Sequence, residues 1–176
     1  MSKTVTAQAQ PSTYAVVVMG VSGCGKSSLA EEIAQDLACS MLEGDAFHPA
    51  ASQAKMAQGT PLTDQDRAGW LVTLGAELAR CNGETIVLSC SALKKSYRDT
   101  LRSYTPKLRF VYLDISPAAA LARVSSRTVA DGHFFPATLV DNQFATLEVP
   151  TGEVGVLTVD ATAPMSELVA KVRAWL

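Results

Sequence analysis

The sequence predicts an α/β protein in which helices cover both faces of a parallel sheet. Short apolar runs such as AVVVM (Ala15–Met19) alternate along the chain with segments whose apolar residues recur at helical spacing. This first run lacks the polar alternation of a half-exposed strand, which is typical of a strand buried on both faces. Because such sheets bind ligands beyond the carboxyl ends of their strands, polar segments that directly follow a strand are candidate site residues.

The first half of the chain is interpreted as strand, helix, strand and further helices. After the first strand, SSLAEEIAQDLA places Leu29, Ile33 and Leu37 on one helical face. A short strand, SML, follows and ends at EGDAFHP. The polar section over residues 51–70 predicts short helices, and Asp64 is the expected N-cap of a longer helix.

The second half repeats the alternation of strand and helix. TIVLSCSA and RFVYLDI predict two strands, separated by the basic helix LKKSYRDTLRSY. Pro117 suits the first turn of the next helix, PAAALARVSSR, and GVLTVD and MSELVAKVRAWL predict a last strand and a closing helix. No repeat or linker interrupts this pattern. Residues 14–176 are therefore expected to form one domain after a disordered tail at 1–13.

The composition argues against nucleic acid or a membrane as the partner. The 176 residues carry a formal net charge of -2, and no apolar run approaches the ~20 residues that a membrane span needs. The first residues lack the apolar run of a signal peptide. Four scattered cysteines without a CxxC pair are typical of reduced thiols, so a soluble cytoplasmic protein is expected.

A glycine-rich loop between the first strand and first helix predicts a nucleotide triphosphate site. Gly20, Gly25, Lys26 and Ser27 match G-x-x-x-x-G-K-[ST] in the strand–helix context that this motif requires. Backbone N–H groups would bind phosphate oxygens, Lys26 the terminal phosphates and Ser27 a Mg²⁺ ion. The loop residues expected to contact ATP are Gly20, Ser22, Gly23, Cys24, Gly25, Lys26, Ser27 and Ser28. Cys24 is also expected to be open to oxidants when no nucleotide covers it.

The surroundings of the loop favour a small-molecule kinase over a GTPase. Switch and motor proteins of this loop class hold the metal with an Asp at the end of a hydrophobic strand. Here TIVLSCSA ends in Ser89, Cys90 and Ser91, and a guanine-reading NKxD is absent from the sequence.

Polar residues after the second strand are candidates for the acceptor side. Asp45 is the candidate general base, although a GD pair is also common in turns. His48 either contacts the substrate or hydrogen-bonds within its loop. Arg67 either clamps an anion or pairs with Asp64 or Asp66, and the spacing favours the ion pair.

Two further groups of cations follow strand ends. Lys95, Arg98 and Arg102 share one helical face, which forms a solvated basic stripe unless its first turn, with Lys94, reaches an anionic substrate. The arginines at 123 and 127 precede the loop TVADGHFFP, where Gly132 could act as the hinge of a lid. Such arginines can neutralise charge on a transferring phosphoryl group, and the alternative is an exposed helix end.

Several motifs in this order resemble the gluconate kinases of the P-loop type. The segments that carry the resemblance, which runs from about Tyr14 to the final helix, are GVSGCGKSS, EGDAFHP, KMAQGTPLTDQDRAGWL, CSALKKSYRDTLR, GHFFP and QFATLE. The loop alone is shared by many families, whereas GD-x-x-HP, PLTDQDR-x-x-WL and CSALKKSYRD are far more specific.

The resemblance implies phosphorylation of D-gluconate at its 6-hydroxyl by ATP, with Mg²⁺, in a homodimer. It implies a three-layer α/β/α P-loop kinase fold, with a five-stranded parallel sheet of order 2-3-1-4-5 and a mobile lid over residues 123–136. Arg123 and the loop near Pro164 would flank the adenine, with Lys26, Arg123 and Arg127 acting in catalysis. The residues expected to face gluconate or the reacting phosphate are Asp45, His48, Lys55, Arg67, Arg98 and Gln143.

Two other functions stay open at this point. The protein could phosphorylate another small anionic acceptor such as shikimate, or it could be a nucleotide-binding regulatory protein without turnover. The regulatory function predicts degraded site residues, yet Lys26, Ser27 and Asp45 are all present.

Overall fold

The computed structural model describes residues 13–81, 83–131 and 136–176, and for residues 128–131 it describes the backbone alone. Within these ranges five parallel strands form one sheet in the order β2-β3-β1-β4-β5. The strands are β1 (Ala15–Met19), β2 (Ser40–Glu43), β3 (Ile86–Ser89), β4 (Arg109–Asp114) and β5 (Val156–Asp160). The predicted strand order 2-3-1-4-5 is confirmed.

Helices connect the strands and cover the sheet. They are α1 (Lys26–Asp36), α2 (Ala50–Ala57), α3 (Asp64–Arg80), α4 (Lys95–Tyr104), α5 (Pro117–Asp131), α6 (Ala137–Thr146) and α7 (Met165–Trp175), with a short 3-10 helix at Gly44–Phe47. As predicted, α5 begins at Pro117, because proline lacks the N–H that the first turn would leave unbonded.

Alternate side chains of the buried strands pack on opposite faces of the sheet. Val16 and Val18 point to the core beneath α1, α5, α6 and α7, whereas Val17 and Met19 point to the core beneath α3 and α4. All four are fully buried. The three-layer α/β/α prediction is therefore confirmed.

The start of α3 differs from the prediction in one detail. Thr63, not Asp64, is the N-cap: its Oγ1 accepts from the Asp66 backbone N–H, and the Asp66 carboxylate accepts from the Thr63 backbone N–H. This reciprocal pair is a capping box, which satisfies two N–H groups that a helix start leaves unbonded. The predicted tail lies outside the described residues except for residue 13.

Candidate active site

The phosphate loop joins β1 to α1 at the carboxyl end of the sheet. Gly25 adopts a left-handed conformation, with φ of 95°, immediately before the first residue of α1. Gly23 also has a positive φ, and a Cβ atom there would lie 2.5 Å from the Ala120 carbonyl oxygen. A side chain at position 23 would therefore push the loop away from α5.

Two polar side chains of the loop motif contact other groups of the protein. Lys26 Nζ donates to the Val21 carbonyl oxygen at 3.0 Å, inside the loop itself. Ser27 Oγ lies 3.4 Å from Ser89 Oγ. Ser89 is fully buried at the end of β3, where a switch or motor protein of this loop class would carry an acidic residue.

A cavity of about 470 Å³ opens beside the loop, between α5 and the segment that leads into α7. Arg123 spans it: its Nη1 lies 3.3 Å from the Cys24 carbonyl oxygen, and its Nη2 donates to the Ala161 carbonyl oxygen at 2.9 Å. Arg127 also lines the cavity. Pro164 is the N-cap of α7 and lies between the lining residues Ala163 and Met165.

The expected lid falls partly outside the described residues. Arg123 and Arg127 lie on α5, one helical turn apart, and both are exposed. Residues 132–135, which include the predicted hinge Gly132, lie outside the described ranges.

Asp45 lies at the carboxyl end of β2, where the chain turns over the neighbouring strand. Gly44 passes so close to β3 that a Cβ atom there would collide with the Ser89 carbonyl oxygen. Trp70 Nε1, from α3, donates to the Gly44 carbonyl oxygen at 2.8 Å and fixes this turn. The Asp45 side chain is 67% exposed. Because β3 separates β2 from β1, about 10 Å lie between the two strand ends.

His48 is buried beside Asp45. Its ring stacks on Trp70, with centroids 4.1 Å apart and planes inclined by 16°. Its Nε2 lies 3.8 Å from an Asp45 carboxylate oxygen, and its Nδ1 has no hydrogen-bond partner among the described residues. Burial lowers the pKa of His48 below its usual value, against the opposing effect of Asp45. Trp70 therefore positions both residues, a role that no sequence motif indicated.

Ion pairs connect α2, α3 and α4, the helices that follow Asp45 and His48 in the chain. Lys55 Nζ donates to Asp66 at 2.7 Å. This hydrogen bond, together with those from Thr63, lowers the pKa of Asp66 to about 2. Lys94 Nζ donates to both carboxylate oxygens of Asp64 at 2.8 Å, and the Tyr97 hydroxyl donates to the same carboxylate. The starts of α3 and α4 are therefore joined.

Arg67 does not form the ion pair that its spacing favoured. The two acidic residues before it are bound by Lys94 and Lys55, and Arg67 Nη1 donates instead to the Leu62 carbonyl oxygen at 2.6 Å. Its guanidinium lies 5.8 Å from the centroid of the Tyr97 ring. In the described part of the chain, no carboxylate forms a close ion pair with this half-buried cation, and Asp64 acts on it only at longer range.

Arg98 is buried and bonded within the protein, contrary to the expectation that it faces gluconate. Its side chain is fully buried, and its guanidinium donates to the carbonyl oxygens of Ala92, Leu93 and Glu148 and to the Glu153 carboxylate. Glu153 lies 55 residues further along the chain, so helical spacing could not indicate this partner. With every N–H group directed at an internal acceptor, Arg98 has none for a substrate.

Gln143, on α6, contacts the phosphate loop directly. Its Oε1 accepts a hydrogen bond of 2.6 Å from the backbone N–H of Ser22, 121 residues away. The resemblance implies that Gln143 faces gluconate or the reacting phosphate, and the hydrogen bond to Ser22 places it at the loop that binds phosphate.

The expectation that oxidants reach Cys24 is wrong. Cys24 is 1% exposed and packs in the core beneath α1, because its side chain turns inward from the loop. All four cysteines are free thiols, and burial raises the pKa of Cys90 to about 12. Cys90 therefore stays protonated at neutral pH, which makes it a poor nucleophile.

The fold and the loop define the class: this is a P-loop kinase. The family model described as an AAA domain matches residues 16–150. The thermoresistant gluconokinase of Escherichia coli strain K12 is 42% identical over 158 residues, which are 88% of each protein. The gluconokinase of Gluconobacter oxydans is 47% identical over 137 residues, or 77% of this chain and 75% of that protein.

A solved structure agrees with these sequence relatives. The crystal structure of a gluconokinase from Sinorhizobium meliloti superposes with a TM-score of 0.83 at 47% identity, covering 92% of this chain and 90% of that one. The chain belongs to the AAA-domain family of the matching model and to the gluconokinase family. In the part of the chain that the structure describes, no helix is long and apolar enough to cross a membrane.

Proposed function

We propose that this protein transfers the terminal phosphoryl group of ATP to the 6-hydroxyl of D-gluconate. The observation that carries the proposal is that a phosphate loop and an exposed carboxylate follow two strands at the same edge of the sheet. A phosphate loop follows β1, and an exposed carboxylate, Asp45, follows β2 about 10 Å away. A small acceptor fits between a bound nucleotide and this carboxylate.

On the donor side, the cavity beside Arg123 would take the adenine, with the guanidinium against one face of the base and the segment near Pro164 against the other. The N–H groups of the loop and Lys26 would bind the phosphates, and Arg127 would meet charge that develops on the transferring group. The hydroxyl of Ser27 is an oxygen ligand of the kind that Mg²⁺ takes, and Ser89 Oγ lies beside it. When bound, Mg²⁺ would neutralise negative charge on the phosphate oxygens.

On the acceptor side, Asp45 would accept the proton of the attacking hydroxyl. Arg67 would bind the carboxylate of gluconate, because it forms no close ion pair with a carboxylate of the described chain. The unbonded Nδ1 of His48 would hydrogen-bond a substrate hydroxyl, as buried polar atoms require. Lys55 and Gln143 would complete the set of polar contacts.

The proposal is tested by measuring ADP release with Mg-ATP and a panel of acceptors. The panel contains gluconate, other sugar acids, shikimate and nucleoside monophosphates. Gluconate should give the highest kcat/KM, with 6-phosphogluconate as the product in mass spectrometry. A clear preference for another acid would overturn the assignment of the acceptor, and no acceptor-stimulated turnover would favour a regulatory nucleotide-binding function.

We also propose that the enzyme is a cytoplasmic homodimer, as its resemblance to gluconate kinases implies. Four free cysteines suit a reducing compartment. Light scattering after size exclusion should give twice the chain mass of 18.6 kDa. A mass of one chain across the micromolar range would contradict the dimer.

A further inference from the structure

The bond between Gln143 and Ser22 occupies a donor in the part of the molecule that binds phosphate. Loops of this class direct backbone N–H groups at phosphate oxygens. Here the Ser22 N–H already donates to the Gln143 side-chain oxygen at 2.6 Å. The Lys26 ammonium is likewise directed at a protein acceptor, the Val21 carbonyl oxygen. Two donors of the loop are therefore satisfied by the protein itself.

An N–H group has one hydrogen, so a phosphate oxygen and Gln143 compete for it. A charged phosphate oxygen forms a hydrogen bond roughly twice as strong as a neutral amide oxygen does. A nucleotide whose phosphate reaches Ser22 would therefore displace the Gln143 side chain from the loop.

The helix that carries Gln143 is fixed at the end that follows this residue. Just beyond α6, Glu148 donates its backbone N–H to the Leu93 carbonyl oxygen, and its side chain accepts from the Lys95 backbone N–H. The Val140 side chain is 1% exposed in the core. With the helix held in this way, displacement would move the Gln143 side chain more than the backbone of α6.

The other end of α6 meets the acceptor side. Pro136, which precedes the helix, lies against Gly59 in the turn after α2, so close that a Cβ on Gly59 would be 3.0 Å from the proline ring. Gly59 follows Lys55 and precedes Arg67 in the segment that the proposed function assigns to the acceptor. The helix therefore contacts the phosphate loop through Gln143 and the acceptor segment through Pro136.

We infer that the Gln143 side chain acts as a latch on the nucleotide-free phosphate loop. Nucleotide phosphate displaces this side chain from the Ser22 N–H and thereby frees it to contact the acceptor. The loop-bound and free positions of the side chain exclude each other. ATP binding then leaves an unbonded amide, both a donor and an acceptor, on a helix whose start contacts the acceptor segment. This inference rests on the proposed function for the identity of the acceptor, but its nucleotide half requires only that the loop binds phosphate.

Calorimetry with a non-hydrolysable ATP analogue and Mg²⁺, without acceptor, tests the nucleotide half. Gln143→Met keeps the length of the side chain but removes the accepting oxygen, so the analogue should bind about three- to tenfold more tightly. Gln143→Asn, one methylene shorter, should act in the same direction. Gln143→Glu should bind at least about tenfold more weakly, since a carboxylate is a stronger acceptor and repels phosphate. The neighbouring variant Asn142→Ala should stay within about twofold.

Unchanged or weaker binding in both Gln143→Met and Gln143→Asn would overturn the latch, because Gln143 would then support the loop rather than compete for it. The acceptor half is tested by the Kd of gluconate with and without the analogue. The analogue should strengthen gluconate binding to the wild-type protein, and Gln143→Met should lose most of that gain. A gain retained in the variant would overturn the coupling. Absence of any gluconate binding would contradict the proposed function while leaving the nucleotide result intact.

Discussion

Arg67 and Arg98 are each the fourth residue of a helix, and the two helices begin side by side, yet their guanidinium groups have opposite surroundings. Arg67 is half-buried, donates to one carbonyl oxygen and forms no close ion pair with a carboxylate of the described residues. Arg98 is fully buried, donates to three carbonyl oxygens and pairs with Glu153.

The difference shows what makes a cation available to a ligand. A buried charge must be paired and hydrogen-bonded, so the groups that stabilise Arg98 also exhaust its donors. The lower density of partners around Arg67 leaves its charge available for an anion. The same residue type at the same helical position therefore serves the fold in α4 and, in the proposed function, the substrate in α3.

The largest effect is expected from Arg98→Met, which should lower the free energy of unfolding by about 3 kcal/mol or more. It leaves Glu153, whose side chain is 12% exposed, with Arg102 as its ion-pair partner, and it removes the donor of three carbonyl oxygens, so that buried polar groups lose their bonds. Urea denaturation measures the change. Lys95→Met is the matched control, since Lys95 forms an exposed pair with Asp99 and should cost under about 0.5 kcal/mol.

The folded Arg98→Met protein should keep the wild-type KM for gluconate. A rise in the KM for gluconate without loss of stability would mean that Arg98 contacts the substrate. The contrast with Arg67 would then not hold.

Asp45→Asn should lower kcat by at least about 10² while nucleotide affinity and stability stay near wild type. The amide cannot accept the hydroxyl proton, and the side chain is too exposed to contribute much to the fold. Steady-state kinetics and calorimetry with an ATP analogue separate the two effects. Glu43→Gln, two residues earlier, should change kcat less than threefold; near-normal turnover of Asp45→Asn would exclude Asp45 as the base.

Arg67→Gln should raise the KM of gluconate by about 30-fold and leave the KM of ATP within about twofold. A charge-assisted hydrogen bond to the substrate carboxylate is lost, but no buried carboxylate is left unpaired. Arg67→Lys should recover part of the affinity, because lysine keeps the charge without the two-pronged geometry. An equal rise in both KM values would indicate that Arg67 supports the cleft rather than the acceptor.

The parts of this molecule that could be predicted are those determined over a few neighbouring residues. The phosphate loop lies within nine consecutive residues, and its glycine conformations follow from local backbone geometry. The strand order could be predicted from the family resemblance, and the buried strand β1 from its composition. The surroundings of Arg98 depend on Glu153, and those of Gln143 on Ser22, which are partners 55 and 121 residues away.

The sequence also could not predict which of several neighbouring groups would bind a given partner. Arg67 lost its expected carboxylates because Lys94 and Lys55, from other elements, bind them. Thr63 rather than Asp64 caps α3, and the Asp64 carboxylate is then free to join α4. Single spacings in one helix cannot rank such alternatives, because the outcome depends on which side chains the fold brings near.

The smallest effect concerns His48, the residue that links Asp45 to the fold. Its pKa lies below the usual 6.5, mainly because burial disfavours the charged ring. The unfolded chain therefore binds a proton that native His48 does not, between its native pKa and 6.5. This contribution to stability is present above pH 6.5 and is lost as the pH falls through the native pKa of His48.

His48→Phe keeps an aromatic ring against Trp70 without the proton. Urea denaturation between about pH 5 and pH 7 should show a weaker loss of stability on acidification in this variant. Equal pH slopes would mean that the stacked ring of His48 accepts a proton as readily in the fold as in the unfolded chain.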